Sequence, residues 1–140
     1  MKILMAVDGS AFTKKMLAYV ATHEEMFTSA NEYTLFTVQP TLPARARSAL
    51  GKDIVDNYYA EEVERVLGPA SKFLTRHNIL AKSQWKIGAA GEQIAKLADS
   101  GKFDLLLMGS HGHSSLTNLV MGSVATQVLA HCKVPVLLVR

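Results

Sequence analysis

Apolar and polar residues fall along this chain in alternating blocks, with short apolar runs separated by longer segments whose apolar positions recur at helical spacing. Lys2 to Val7 is the first run, and Asp8-Gly9-Ser10 ends it. The next segment carries Met16, Leu17 and Val20 on one face, with Phe27 beyond them, and Ser10 or Thr13 stands where a helix cap belongs. Tyr33 to Val38 predicts a second strand that ends at Gln39-Pro40. Thr41 to Gly51, with Pro43, Arg45 and Arg47, predicts an irregular insert. Asp53 to His77 predicts a long helix with Ile54, Tyr58, Val63, Val66, Leu67, Ala70, Phe73 and Leu74 as its apolar set, bent or interrupted at Gly68-Pro69. Ile79 to Ile87 follows as a third strand, then Glu92 to Ser100 as a helix turning Ile94, Leu97 and Ala98 inward. Asp104 to Met108, Val124 to Cys132 and Pro135 to Val139 predict the last strand, helix and strand.

Strand and helix alternate throughout, which predicts an α/β fold with a parallel sheet and helices on both faces. With strands 1, 2 and 3 winding one way and 4 and 5 the other, the expected architecture is a doubly wound, Rossmann-like five-stranded sheet of order 3-2-1-4-5. At 140 residues, without repeats or linkers, residues 1–140 are expected to form a single domain.

Composition narrows the function classes. Apolar residues make up 49% and charged residues 19%, a globular balance. No apolar run approaches the roughly 20 residues that span a bilayer, so no membrane partner is expected. The opening Met1-Lys2-Ile3-Leu4 reads as a core strand rather than a leader. One cysteine allows no internal disulfide, and cytoplasmic residence is the expectation. The net charge is +3, but the basic residues are scattered apart from Lys14-Lys15 and Arg45-x-Arg47, and no aromatic platform adjoins them. Nucleic acid is therefore not an expected partner.

The densest chemistry lies in Met108 to Ser123, between the fourth strand and the last helix. Gly109, Gly112 and Gly122 are spaced G-x2-G-x9-G, with Ser123 directly after. This is neither a Walker A loop nor G-x-G-x-x-G. Glycines let a backbone approach a ligand closely, and a helix N-terminus favours an anion. Taken alone, the glycines equally suit a connection that needs them only for turn geometry. Position in the fold separates the two. In order 3-2-1-4-5 the switch point lies between strands 1 and 4, whose carboxyl ends are Val7-Asp8 and Met108-Gly109, and ligands of such sheets sit there. The expected ligand is nucleotide-like. Asp8 would accept from ribose hydroxyls, backbone groups around Val38 would meet an adenine edge, and Ala6, Val7 and Met108 would give apolar contact. Backbone N–H groups of Gly109, Gly112, Ser123 and Val124, with the hydroxyls of Ser114 and Ser123, would hold phosphate. His111, His113 and Gly122 complete the candidate site.

These residues carry a resemblance. Met5-Ala6-Val7-Asp8-Gly9-Ser10, Met108-Gly109-Ser110-His111-Gly112, Met121-Gly122-Ser123-Val124 and the terminal Pro135-Val136-Leu137-Leu138-Val139-Arg140 resemble the universal stress protein family over the whole chain. The G-x2-G-x9-G-[S/T] spacing is similar to that of its ATP-binding branch. The resemblance implies ATP (or AMP or ADP), with Mg or Mn on the phosphates rather than on side chains, and a stress-response or signalling role. It implies binding rather than turnover, with at most slow hydrolysis or autophosphorylation, and a homodimer through the last strand. An exposed apolar edge from Val134 to Val139 gives the same expectation on physical grounds. One departure stands out. Family members commonly place Arg or Lys after the second glycine, whereas this chain has His113-Ser114-Ser115, and no Lys or Arg occurs from Phe103 through Cys132. Arg45, Arg47 and His113 are the candidate replacements.

No catalytic constellation is evident. The serines lack a G-x-S-x-G elbow, and no acid pair sits in the motif. His111, His113 and His131 lack the acid or cysteine that would complete a metal set, so no metal ligands are expected. His131-Cys132 reads as a helix end rather than a catalytic pair. Tyr58, Tyr59 and Trp85 are expected in the core or an interface. The alternatives to a binding protein are a slow ATPase or adenylyl- or phosphoryl-transfer enzyme on the same fold, and a nucleotide-free dimeric interaction module.

Overall fold

The computed structural model describes residues 1–114 and 118–140. Its elements are β1 (Lys2–Ala6), α1 (Ala11–Thr22), β2 (Glu32–Gln39), α2 (Ala44–Leu50), α3 (Lys52–Arg76), β3 (Ala81–Ile87), α4 (Ala90–Ser100), β4 (Leu105–Gly109), α5 (Ser123–His131) and β5 (Val136–Val139). The strands form one sheet of order β3-β2-β1-β4-β5, and the strand pairs β1–β2, β1–β4, β2–β3 and β4–β5 are all parallel. The expected winding is the observed one. Among the described residues no helix is long and apolar enough to cross a membrane.

Alternation along the central strands divides the interior in two. Ile3, Met5, Val7, Tyr33, Leu35 and Leu107 turn to one face, where α1 brings Met16, Leu17 and Val20 and α3 brings Val63, Val66, Leu67, Ala70 and Leu74. Leu4, Ala6, Phe36, Leu106 and Met108 turn to the other, against Ile94 and Ala98 of α4 and Ala125 and Val128 of α5. Parallel central strands covered on both faces must be apolar at nearly every position, and β1 and β4 are.

Several local expectations need correction. The segment expected to be irregular contains α2, held by Arg47 Nε–H donating to the Leu42 carbonyl at 3.1 Å. The long helix is not interrupted: α3 runs through Pro69. Val63, Val66 and Leu67 before it and Ala70 and Leu74 after it are all buried. Each of these valine and leucine side chains contributes about 1.5–3 kcal/mol, which together outweighs the ~3 kcal/mol of an internal proline. The inward face at the start of α3 is one position later than expected. Ile54 and Tyr58 are exposed, while Val55 and Tyr59 are buried, because the stripe that continues as Val63 begins at Val55 and the Tyr59 hydroxyl accepts the Leu42 N–H at 2.9 Å. Trp85 is not a core residue either; β3 is an edge strand, exposed along most of its length. Of the two possible caps for α1, Ser10 is used, its Oγ accepting from Thr13 N–H.

Candidate functional site

On the α4–α5 face, at the carboxyl ends of the strands, the apolar filling stops short and leaves a cavity of about 190 Å³. The residues expected to contact the nucleotide line it: Ala6, Val7, Asp8, Val38, Met108, Gly109, His111, Gly112, His113, Ser114, Gly122, Ser123 and Val124. Thr13, Phe36, Ala90, Ile94, Ser110 and Ala125 line it as well. Alternation would have found Phe36, which shares a face with Val38. Ala90, Ile94 and Ala125 required knowing how α4 and α5 lean together. Ser115, which completes the His113-Ser114-Ser115 run, lies outside the described residues. The cavity sits between the ends of β1 and β4, at the switch point of the sheet.

Asp8 is fixed before any ligand arrives. Its Oδ1 accepts from Ser10 N–H at 2.9 Å and from Thr13 Oγ1–H at 2.8 Å, while its own N–H donates to Thr13 Oγ1 at 3.0 Å. Oδ2 makes no such bond among the described residues and lies against Gly112, where an added Cβ would come within 2.7 Å of it. Gly122 is held as closely. Its N–H donates to the Ser110 carbonyl at 2.7 Å, and an added Cβ would stand 3.2 Å from His111 Cα and 3.3 Å from that carbonyl. Gly122 lets the start and end of the loop pack backbone to backbone, and Gly112 lets the loop lie against the Asp8 carboxylate.

Val38 offers main-chain groups. Val7 N–H donates to the Phe36 carbonyl and Gly88 N–H to the Gln39 carbonyl, so even-numbered residues at this end of β2 face β1 and odd ones face β3. β1 ends at Ala6. The N–H and C=O of Val38 therefore point past its end, toward the cavity, as a donor and acceptor side by side. At the other wall α5 begins without a side-chain cap, because its N-cap is Gly122. The N–H groups of Ser123, Val124 and Ala125 precede the first residue with an i→i−4 partner, which is Thr126, donating to the Gly122 carbonyl.

Both loop histidines are engaged. His111 Nε2 lies 2.7 Å from the Leu119 carbonyl and its Nδ1 2.9 Å from Ser110 Oγ. His113 Nε2 lies 2.6 Å from the Asp8 carbonyl, tying the glycine loop to the end of β1. A carbonyl only accepts, so Nε2 carries the proton in each ring. Arg45 and Arg47 are not brought to the cavity; Arg47 lines a shallow depression with Lys52 and Asp56. Among the described residues no cluster of three His, Cys, Asp or Glu side chains is arranged to hold a metal ion. Cys132 is away from the cavity, and burial pushes its thiol above the ordinary range, partly offset by the Val134 carbonyl and assisted by Asp99. A thiol so placed is a poor nucleophile.

The fold and site define a doubly wound α/β protein with its cavity at the crossover between two strand windings. The sequence model of the universal stress protein family matches residues 1–140, and the chain belongs to that family. It is 32% identical over 139 residues to the universal stress protein Slr1230 of Synechocystis sp., covering 99% of this chain but only 42% of that protein. The chain thus spans less than half the length of that curated relative. Among solved structures it is similar to MJ0577 of Methanocaldococcus jannaschii, with a TM-score of 0.80 and 27% identity over 99% of this chain and 94% of the other. An Arabidopsis thaliana universal stress protein family structure with AMP bound shares the fold at a TM-score of 0.70 and 15% identity, covering 99% and 90% of the two chains.

Proposed function

We propose that residues 1–140 form one adenine-nucleotide-binding domain of a stress-response or signalling protein, whose output is occupancy of the site rather than turnover. The supporting observation is the convergence on one cavity of three sets of groups with no partner among the described residues: the Val38 N–H and C=O, Asp8 Oδ2, and the N–H groups at the start of α5. A donor beside an acceptor matches an adenine edge, a held carboxylate matches ribose hydroxyls, and three N–H groups at a helix N-terminus match a phosphate. Ala6, Val7, Phe36 and Met108 give the base an apolar seat. A triphosphate would bring a divalent cation, Mg or Mn, on its own oxygens, since no side-chain metal set is offered among the described residues. The AMP-bound Arabidopsis structure has the same fold and supports this reading.

Titration calorimetry of wild type and Gly122→Val with AMP and with magnesium-ATP tests it. Wild type binds, and the valine, forced against His111 Cα and the Ser110 carbonyl, lowers affinity by about a hundredfold. Absence of heat with both ligands on the wild type refutes the reading.

The proposal includes a homodimer through Val134 to Val139. Leu106 N–H donates to the Pro135 carbonyl and Ser110 N–H to the Val139 carbonyl, so odd-numbered residues of β5 face β4. Val136 and Leu138 then present their main chain outward on an apolar edge. β3, at the opposite edge, carries Lys82 and Lys86, a charged guard against pairing. Leu138→Pro removes one outward N–H, a substitution edge strands tolerate, and should convert a dimer to a folded monomer by light scattering. A wild type that is monomeric at all concentrations excludes this assembly.

A further inference from the structure

We infer that this site selects nucleotides bearing a single phosphoryl group, a 5′-monophosphate or a cyclic monophosphate, over the metal-free triphosphate. The inference rests on the nucleotide reading of the cavity and goes further, to the ligand class. It begins with charge. Among the described residues that line the cavity there is no Lys or Arg, and the one carboxylate, Asp8, faces the head of the glycine loop. The stretch from Phe103 through Cys132, which supplies most of the loop and helix wall, contains no cation beyond its histidines. The two that line the cavity, His111 and His113, have spent their Nε2–H groups on the carbonyls of Leu119 and Asp8. Lys15 approaches only indirectly: its Nζ stands 5.0 Å from the centre of the Phe12 ring, and that ring meets the His111 ring at 4.9 Å.

Among the described residues an anion meets neutral donors only: the uncapped start of α5, worth about half an elementary charge, the Ser123 hydroxyl, and main-chain N–H groups of the glycine loop such as that of Gly112. That seat suits one phosphoryl group, whose charge is about −1.5 to −2 as a monoester and about −1 as a cyclic diester. Each further phosphoryl adds negative charge that no side-chain cation neutralises, and Asp8 opposes it. A divalent cation on the phosphates would neutralise part of the excess and narrow the difference.

Calorimetric titrations of the wild-type chain with adenosine, AMP, cyclic AMP, ADP and ATP, each in EDTA and again in excess magnesium, decide the matter. In EDTA the better of AMP and cyclic AMP should bind at least tenfold more tightly than ATP and at least tenfold more tightly than adenosine, with ADP between. Magnesium should strengthen ATP and leave AMP nearly unchanged. ATP equal to or tighter than both monophosphates in EDTA overturns the inference while leaving the nucleotide reading intact. Adenosine equal to the monophosphates overturns the phosphoryl seat. No binding by any of the five removes the nucleotide reading, and the inference with it. His113→Arg, which adds a cation at the loop, should raise the ATP-to-AMP affinity ratio in EDTA at least tenfold; an unchanged ratio overturns the charge argument.

Discussion

The two sides of the sheet are built from the same strands yet end differently. On the α1–α3 side, side chains of Ile3, Met5, Leu35 and Leu107 meet Met16, Val20 and Leu74, all without solvent exposure. On the α4–α5 side the same strands present Ala6, Phe36 and Met108 to helices whose inward residues include Ala90, Ala98 and Ala125, and the packing opens into a cavity at the carboxyl ends. Small residues facing the strand ends leave room. The lesson is that one side is filled to hold the fold while the other leaves part of its core open as a cavity.

That contrast can be broken by substitution. The largest effect is expected on the closed side. Leu107→Ala, at a fully buried position of the interior strand β4, should cost about 2–5 kcal/mol in chemical denaturation. Nucleotide affinity per folded molecule should stay within about threefold of wild type. A stability loss below about 1 kcal/mol would show that this side is not the tighter one. The reverse pattern belongs to the open side. Ala125→Leu adds bulk to the cavity wall, so affinity should fall about a hundredfold while stability changes by less than about 1.5 kcal/mol. Undiminished AMP binding by this variant would place the ligand elsewhere.

The smallest effect concerns pH. Burial, the larger cause for both groups, raises the Cys132 thiol on the open side and the Tyr33 phenol on the closed side above their ordinary values. The folded state therefore favours their protonated, neutral forms. Their contribution to stability is complete below the unfolded-state values, about 8.5 for a thiol and about 10 for a phenol, and is lost as pH rises through the higher folded values. Stability should hold near neutrality and decline on the alkaline side, first through Cys132 and then through Tyr33. Cys132→Ala should delay the onset of the decline and leave its Tyr33 portion. Superimposable stability profiles for wild type and Cys132→Ala from pH 7 to about pH 10 would contradict this assignment.

Much of this was legible in one dimension. Apolar blocks at strand and helix spacing located nearly every element, and the strand–helix rhythm predicted the order β3-β2-β1-β4-β5. The errors came where local signals compete with burial. Pro69 marks a break by propensity, yet the buried residues on both sides of it keep α3 continuous. Pro43 and the clustered arginines suggested an irregular insert, but α2 forms there with no buried residue, so core periodicity had nothing to show. Ile54 and Tyr58 mimic a helical stripe one residue out of phase with the real one.

The sequence alone determined the kind of fold and where its crevice would be. A run of glycines and hydroxyls after the fourth strand, with Asp8 after the first, already placed the candidate residues at the switch point. Only the tertiary structure decided how they stand there. It committed the histidine Nε2–H groups to the carbonyls of Leu119 and Asp8, kept Arg45 and Arg47 from the cavity, and turned the Val38 main chain past the end of β1. The reason is physical. Periodicity encodes which face of an element is buried, whereas the partner of a given N–H, carbonyl or cation depends on where neighbouring elements end, and that is settled only when they pack.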